Sequence, residues 1–115
     1  MLGLTASTRI LLFTGPTDMR KGFDGLMALV AAAGEDVYSG TLFTFISGRR
    51  DRAKVLTFQK GGLVLVYKRL SRGKFKIHLP EGHDRAEIDS VQLAMLLDGI
   101  DFARVRRPQH WTPAA

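Results

Sequence analysis

The chain has 115 residues, of which 45% are hydrophobic and 24% are charged. This length and composition indicate one globular domain and exclude a second domain, a fibrous chain or a disordered one. The 17 basic residues exceed the 11 acidic ones by a formal net charge of +6, and the lack of cysteine excludes disulfides, thiol catalysis and cysteine-ligated zinc.

The first predicted strand runs from Arg9 to Thr14, an apolar stretch that is ended by Gly15-Pro16. Thr17 or Asp18 is expected to cap a helix that follows this turn and ends near Gly34. Within that helix apolar residues recur at helical spacing, at Met19, Phe23, Leu26, Met27 and Val30.

Four more strands are predicted, because β-branched and aromatic residues become frequent after residue 40. They are expected at Thr41–Ile46, Lys54–Phe58, Leu63–Arg69 and Lys74–Leu79. Each break between them contains glycine, which readily adopts the positive φ of hairpin turns. The pattern predicts a four-stranded antiparallel meander.

A polar loop from Pro80 to Glu87 is expected to lead into a second helix. Asp89 is placed to cap this helix, Gln92 completes the capping signal three residues later, and apolar residues continue through Leu97. The chain beyond residue 103 is rich in proline and arginine, which is typical of an extended tail. We therefore predict a single α+β domain over residues 1–103, with both helices on one sheet face, and a basic tail over 104–115.

The start of the chain does not resemble a secretion signal. Its first apolar stretch contains Arg9, and no small-residue cleavage site follows. No apolar stretch reaches the length of a membrane span. The sequence therefore predicts a cytoplasmic protein without a membrane partner.

Basic residues concentrate between positions 49 and 76, where ten of them accompany one acidic residue. Successive turns of a meander alternate between the two ends of the sheet, so the turns at residues 49–52 and 69–74 are expected at the same end. Because arginine can hold a phosphate through two hydrogen bonds, we predict a nucleic-acid-binding surface there. Its predicted residues are Arg49, Arg50, Arg52, Lys54, Lys68, Arg69, Arg72 and Lys74.

Two other interpretations of these basic turns stay open. Lysine and arginine at strand ends can prevent edge-to-edge aggregation without binding anything. An acidic protein surface could also bind the same turns. The sequence leaves open whether a nucleic-acid ligand is duplex or single-stranded, DNA or RNA, and whether the domain pairs with itself.

The sequence offers little for catalysis. Residues 15–22 superficially resemble a phosphate-binding loop, but the lysine precedes the second glycine and no serine or threonine follows it. The histidines His78, His83 and His110 are scattered and do not have metal-ligand spacing. We therefore predict no catalytic residue, no metal site and no cofactor.

Five aromatic residues lie on the predicted strands, at Phe43, Phe45, Phe58, Tyr67 and Phe75. Such residues can stack on bases in sheet-based nucleic-acid binders. Core packing is the favoured interpretation here, because the helices need a sheet face to cover and only the tyrosine has a polar end.

Five segments together resemble one protein family. They are PTDMRKGFDGL (16–26), GRRDRAKVL (48–56), YKRLSRGKF (67–75), QLAMLLDGIDF (92–102) and RRPQHW (106–111). They look like the TnpB-type accessory protein of the IS sixty-six insertion-sequence family, in matching order and spacing from about Arg9 to the end. The chain departs from the family at Thr57–Lys60, where members often have aromatic and acidic residues, and at Phe102, where they have tryptophan.

The resemblance implies a non-enzymatic protein that is encoded beside a large transposase and assists transposition. Our first hypothesis is that the basic turns hold the DNA backbone of the element ends near the cognate transposase. The second, from another class, is an assembly factor that contacts only the transposase. Its predicted contacts are Arg20, Lys21, Asp98, Asp101 and Trp111.

Overall fold

The computed structural model describes residues 4–77, 83–101 and 112–113. Its strands form one sheet in the order β4-β3-β2-β1-β5-β6. The strands are β1 (Ile10–Thr17), β2 (Leu42–Ser47), β3 (Arg52–Gln59), β4 (Gly62–Arg69), β5 (Arg85–Ile88) and β6 (Thr112–Pro113). The helices are α1 (Phe23–Ala32) and α2 (Ser90–Leu97), and a 3-10 helix spans Val37–Ser39. The predicted α+β fold is confirmed.

Strands β1 and β2 are neighbours and run parallel, with α1 crossing between them. Strand β2 is buried along its whole length. Consecutive residues of β1, Ile10, Leu11 and Leu12, are likewise fully buried, although their side chains alternate between the two faces of the sheet. Both faces of this central pair must therefore be covered.

The two helices provide that cover from opposite faces of the sheet. Leu26 of α1 belongs to a buried cluster with Leu11 and Phe43. Leu93 of α2 belongs to a separate cluster that contains Ile10 and other residues of the opposite face. The prediction that both helices share one face is wrong, because a central parallel pair with unbroken apolar sequence needs a helix on each side.

The antiparallel meander is shorter than predicted and comprises β2, β3 and β4. Residues 74–77 of the predicted strand Lys74–Leu79 lie in no strand, and the rest of it falls outside the described residues. The backbone N–H of Phe75 instead donates to the carbonyl of Arg50 at 2.7 Å, while its ring is buried in the α2-side cluster. The added strand is β5, in the predicted loop, where Ala86 and Ile88 face the core and pair antiparallel with β1.

The Gly15-Pro16 pair does not end β1, which continues to Thr17. The register with β2 shifts between Phe13 and Pro16, so the pair forms an irregularity within the strand. Thr17 is therefore a strand residue, and Asp18 binds Arg20 instead of capping α1, which begins after Gly22 without a side-chain cap. The predicted cap is wrong.

The predicted start of the second helix is confirmed in detail. The Asp89 carboxylate accepts the backbone N–H of Gln92 at 2.7 Å, and the Gln92 side chain accepts the backbone N–H of Asp89 at 3.0 Å. Thr112–Pro113 pair with β5, while the separate basic tail stays a prediction because most of it lies outside the described residues. Among the described helices, none is long and apolar enough to cross a membrane.

Replacing Asp89 with alanine removes the cap acceptor and should lower the free energy of unfolding by about 1 kcal/mol. Ser90→Ala, one position later, leaves both capping hydrogen bonds intact and should change stability by less than about 0.5 kcal/mol. Urea unfolding of the two variants measures the difference. Equal stability of the two would contradict the capping box.

Candidate functional site

The two basic turns lie side by side at one end of the sheet. Arg52 at the start of β3 is paired in register with Arg69 at the end of β4. Beyond the strands, the backbone N–H of Leu70 donates to the carbonyl of Asp51 at 2.8 Å. The segment after β4 is therefore fixed to the β2–β3 turn by its backbone. We call the surface made by Arg49, Arg50, Arg52, Arg69, Arg72 and Lys74 the basic end.

The β2–β3 turn is held by the hydroxyl of Ser47. This oxygen accepts the backbone N–H groups of Asp51 at 3.3 Å and Arg52 at 3.1 Å, and the hydroxyl donates to the Asp51 carboxylate at 3.3 Å. Arg50 adopts the left-handed conformation with φ 60°. The one acidic residue of the turn thus bonds within the loop, while Arg49 and Arg50 are exposed.

The cations of the basic end have no counter-ion among the described residues. Within residues 4–77 and 83–101, no ion pair or side-chain hydrogen bond engages any of the six side chains. Arg9, near the opposite end of β1, is a contrast: its guanidinium binds Glu35 at 2.6 Å and Glu87 at 2.7 Å. Hydrogen bonding to Arg9 lowers the pKa of Glu35. Within the described residues, the positive charge of the basic end is therefore not neutralised by an ion pair.

Lys54 does not join this surface, although its sequence position suggested that it would. It is 7% exposed, and its Nζ donates to the carbonyls of Met19 at 2.8 Å and Lys21 at 2.6 Å. The same ammonium lies 4.8 Å from the centroid of the Tyr67 ring. Lys54 therefore connects the β1–α1 loop to the sheet and is not presented to an external phosphate.

The β1–α1 loop lies at the same end as the basic turns, because β1 and β2 run parallel and both end there. The carboxyl ends of parallel strands are a frequent location for binding sites. An open cleft of about 500 Å³ separates the loop from the β2–β3 turn. It is lined by Thr17, Asp18, Met19 and Arg20 on one side and by Ser47, Gly48, Arg49, Asp51 and Arg52 on the other.

This arrangement joins two residue groups that the sequence analysis kept apart. Arg20 and Lys21 were predicted as transposase contacts, and Arg49 and Arg52 as nucleic-acid contacts, yet the loop and the turn face each other across the cleft. The sequence signal that places these two groups at the same end of the sheet is the strand–helix–strand order of residues 10–47, because this order favours parallel strands. The described residues contain no group of three histidine, aspartate or glutamate side chains placed to hold a metal ion.

Arg20 is largely paired within its own loop. Its guanidinium donates to the Asp18 carboxylate, with Nη2 at 2.7 Å from Oδ2, and its backbone N–H donates to Oδ1 at 2.9 Å. These hydrogen bonds lower the pKa of Asp18 from 3.8 to about 2. At neutral pH the loop therefore contributes little unpaired charge apart from Lys21.

The remaining predicted site residues are Lys68, which was predicted as a nucleic-acid contact, and the predicted transposase contacts Asp98, Asp101 and Trp111. Lys68, on the α2 side of the sheet, lies 3.4 Å from the carboxylate of Asp98 at the end of α2. This ion pair links the end of the helix to β4. Asp101 follows and is partly buried, and Trp111 lies outside the described residues.

Replacing Lys54 with methionine keeps its aliphatic length but removes two charge-assisted hydrogen bonds. The free energy of unfolding should fall by about 2–3 kcal/mol. Lys60→Met, at the exposed tip of the β3–β4 hairpin, makes the same change without losing such contacts and should stay within about 0.5 kcal/mol. Denaturant unfolding compares them, and an equally small effect at both positions would contradict the described role of Lys54.

The Asp18 carboxyl should titrate near pH 2, as measured by its side-chain carbon shift in NMR. Because its folded pKa is below the ordinary 3.8, the contribution of the ion pair to stability is present above about pH 4 and is lost as the pH falls toward 2. Arg20→Gln should return the midpoint toward 3.8. A wild-type midpoint already near 3.8 would show that the pair does not form.

Comparison with known proteins identifies the family. A family model described as IS66 Orf2 like protein matches residues 8–107. The chain is 35% identical over 108 residues to the uncharacterized protein y4jC of Sinorhizobium fredii (strain NBRC 101917 / NGR234), covering 93% of this chain and 92% of that one. It is 37% identical over 115 residues to the uncharacterized protein y4hO of the same strain, covering 98% and 96%. No solved structure matches the chain.

The matched residues include the β1–α1 loop, both basic turns and α2. The family match therefore covers every described element of the candidate site. The resemblance seen in the sequence is confirmed. The chain belongs to the IS66 Orf2-like family of transposition-associated accessory proteins.

Proposed function

We propose that this protein is a non-catalytic accessory factor that holds DNA backbone near its cognate transposase through the basic end. The observation that carries this proposal is the set of exposed cations without counter-ions among the described residues. Like charges gathered on one surface repel one another and oppose folding. A polyanion bound there relieves that repulsion.

The location of the arginines argues against a role limited to preventing aggregation. That role is expected of charges along an exposed edge strand. Arg49 and Arg50 lie instead in the turn between β2 and β3, both of which have neighbours on each side. Their exposure therefore calls for an external partner.

The guanidinium groups make phosphate the best-fitting ligand. Arginine can bind phosphate oxygens through two parallel hydrogen bonds, and the turns that carry it are fixed by backbone bonds. Contacts to phosphate position a protein on nucleic acid but do not read the sequence. We therefore propose a positioning role, with sequence recognition and cleavage assigned to the transposase.

An assembly role is the second candidate, favoured by two exposed apolar residues on and after α2. Val91 is 53% exposed and Ile100 is 44% exposed. These residues and the exposed Asp98 lie on α2 or just after it, and exposed apolar residues beside a charged one suit a protein partner. Gel shifts of element ends separate the two functions: a shift without transposase supports DNA binding, and a shift that requires transposase supports assembly.

Removing cations from the basic end should weaken DNA binding and reduce its salt dependence. The slope of log K against log salt is negative, and each lost phosphate contact reduces its magnitude by about 0.9 on duplex DNA. In a variant with Arg49→Ser, Arg50→Asn, Arg69→Ser and Arg72→Ser, the magnitude of the slope should therefore be smaller by about 3 to 4. Fluorescence anisotropy with a labelled duplex over a salt series measures it.

A single-site pair provides a matched control. Arg50 and Lys60 are exposed cations in hairpin turns, both with positive φ, of 60° and 50°, but at opposite ends of the sheet. Arg50→Asn should reduce the slope by about 0.9, while Lys60→Asn, with the same loss of charge, should leave it unchanged. Equal effects would indicate a response to net charge alone and refute a localised surface.

A further inference from the structure

We infer that Tyr67 is a stacking platform for an unpaired nucleobase, and that the basic end consequently prefers single-stranded DNA to duplex. This inference rests on the proposed function, since the phosphates of the same strand would be held by the basic end. Beyond the proposed function, the inference specifies the form of DNA that is bound and the side chain on which one of its bases stacks.

Of the five aromatic residues that were predicted on strands, Tyr67 is the exposed one. The rings of Phe43, Phe45 and Phe75 are fully buried in the core. Phe58 is partly buried and is contacted by Tyr38 in an edge-on arrangement, with centroids 5.2 Å apart. Tyr67 is 51% exposed, on the sheet face that carries α1. Among the described residues its hydroxyl has no hydrogen-bond partner, so core packing does not explain this residue.

A cation lies over one face of the Tyr67 ring. The ammonium of Lys54 lies 4.8 Å from the ring centroid, and two backbone carbonyls hold that ammonium in place. A cation over one ring face is an attractive arrangement that restricts the position of the ring. Tyr67 is nevertheless 51% exposed to solvent. A planar surface that is already oriented loses little entropy when a ligand stacks on it.

The platform is adjacent to the phosphate-binding side chains. Arg69 follows Tyr67 by two residues on the same sheet face, and Arg52 is its cross-strand neighbour. A strand rises about 3.3 Å per residue, which puts these arginines about 7 Å along the sheet from the ring. A base on Tyr67 therefore keeps its neighbouring phosphates within reach of both guanidiniums.

Single-stranded DNA fits this combination better than duplex does. Aromatic rings beside a basic surface are the usual means of binding single strands without sequence preference, because every base has a face that can stack. Bases inside a duplex are already stacked on each other, and taking one out has an energetic cost. The ring can therefore contribute to single-strand binding while the arginines contribute to both forms.

The test compares the affinity for labelled oligothymidine of about 15 nucleotides with that for a duplex of equal length, by fluorescence anisotropy. The wild-type protein should bind the single strand more tightly. Tyr67→Leu keeps apolar bulk over Lys54 but removes the ring, and should weaken single-strand binding roughly 5- to 150-fold while changing duplex binding less than about 2-fold. Tyr67→Phe keeps the ring and should bind the single strand as tightly as the wild-type protein does.

Tyr38→Leu is the matched control, because Tyr38 is 58% exposed but lies at the opposite end of the sheet, against Phe58. It should bind both DNAs like the wild-type protein. Unchanged single-strand affinity in Tyr67→Leu, or an equal loss on both DNAs, would overturn the platform while leaving the proposed function in place. A wild-type protein that binds neither DNA would overturn both.

Discussion

The parallel pairing of β1 with β2 determines where the β1–α1 loop lies relative to the basic turns. Because α1 connects the two strands, their carboxyl ends meet at one end of the sheet, and the loop after β1 faces the turn after β2. The pair is also central, so both of its faces require cover and the helices are divided between them. The antiparallel hairpin that follows returns the end of β4 to the same place.

Lys54 connects this architecture to the proposed function. A buried ammonium requires hydrogen-bond acceptors, and two carbonyls of the β1–α1 loop supply them. The loop is thereby fixed against the sheet, and the same cation supports the ring of Tyr67. One lysine thus organises both the cleft wall and the aromatic surface without presenting its own charge to solvent.

The sequence predicted the local features of this fold well and the long-range ones less well. The capping box at Asp89 and the hairpin at Lys60-Gly61, where both residues have positive φ, depend on neighbouring residues and could be recognised. The expectation that the two basic turns share an end needed only the antiparallel order of β2, β3 and β4, and the structure has that order.

The errors concern features that depend on distant partners. The four-residue strand β5 carries only Ala86 and Ile88 as inward residues, a signal too short to separate from a loop until β1 is present to pair with it. The burial of Lys54 has no local signature, since its carbonyl partners are 35 and 33 residues away in sequence. A correct prediction of the sheet face covered by each helix required recognising that β1 and β2 are apolar on both faces.

We propose that one end of the sheet binds nucleic-acid backbone, and an NMR titration of the isotope-labelled protein with DNA is the sharpest test of this proposal. We expect amide shifts to change in the β1–α1 loop, in the β2–β3 turn and after β4, at residues 18–22, 48–52 and 69–74. The amides of the opposite end, at residues 35–38 and 60–61, should stay unchanged. Changes confined to that opposite end or to α2 would contradict the account.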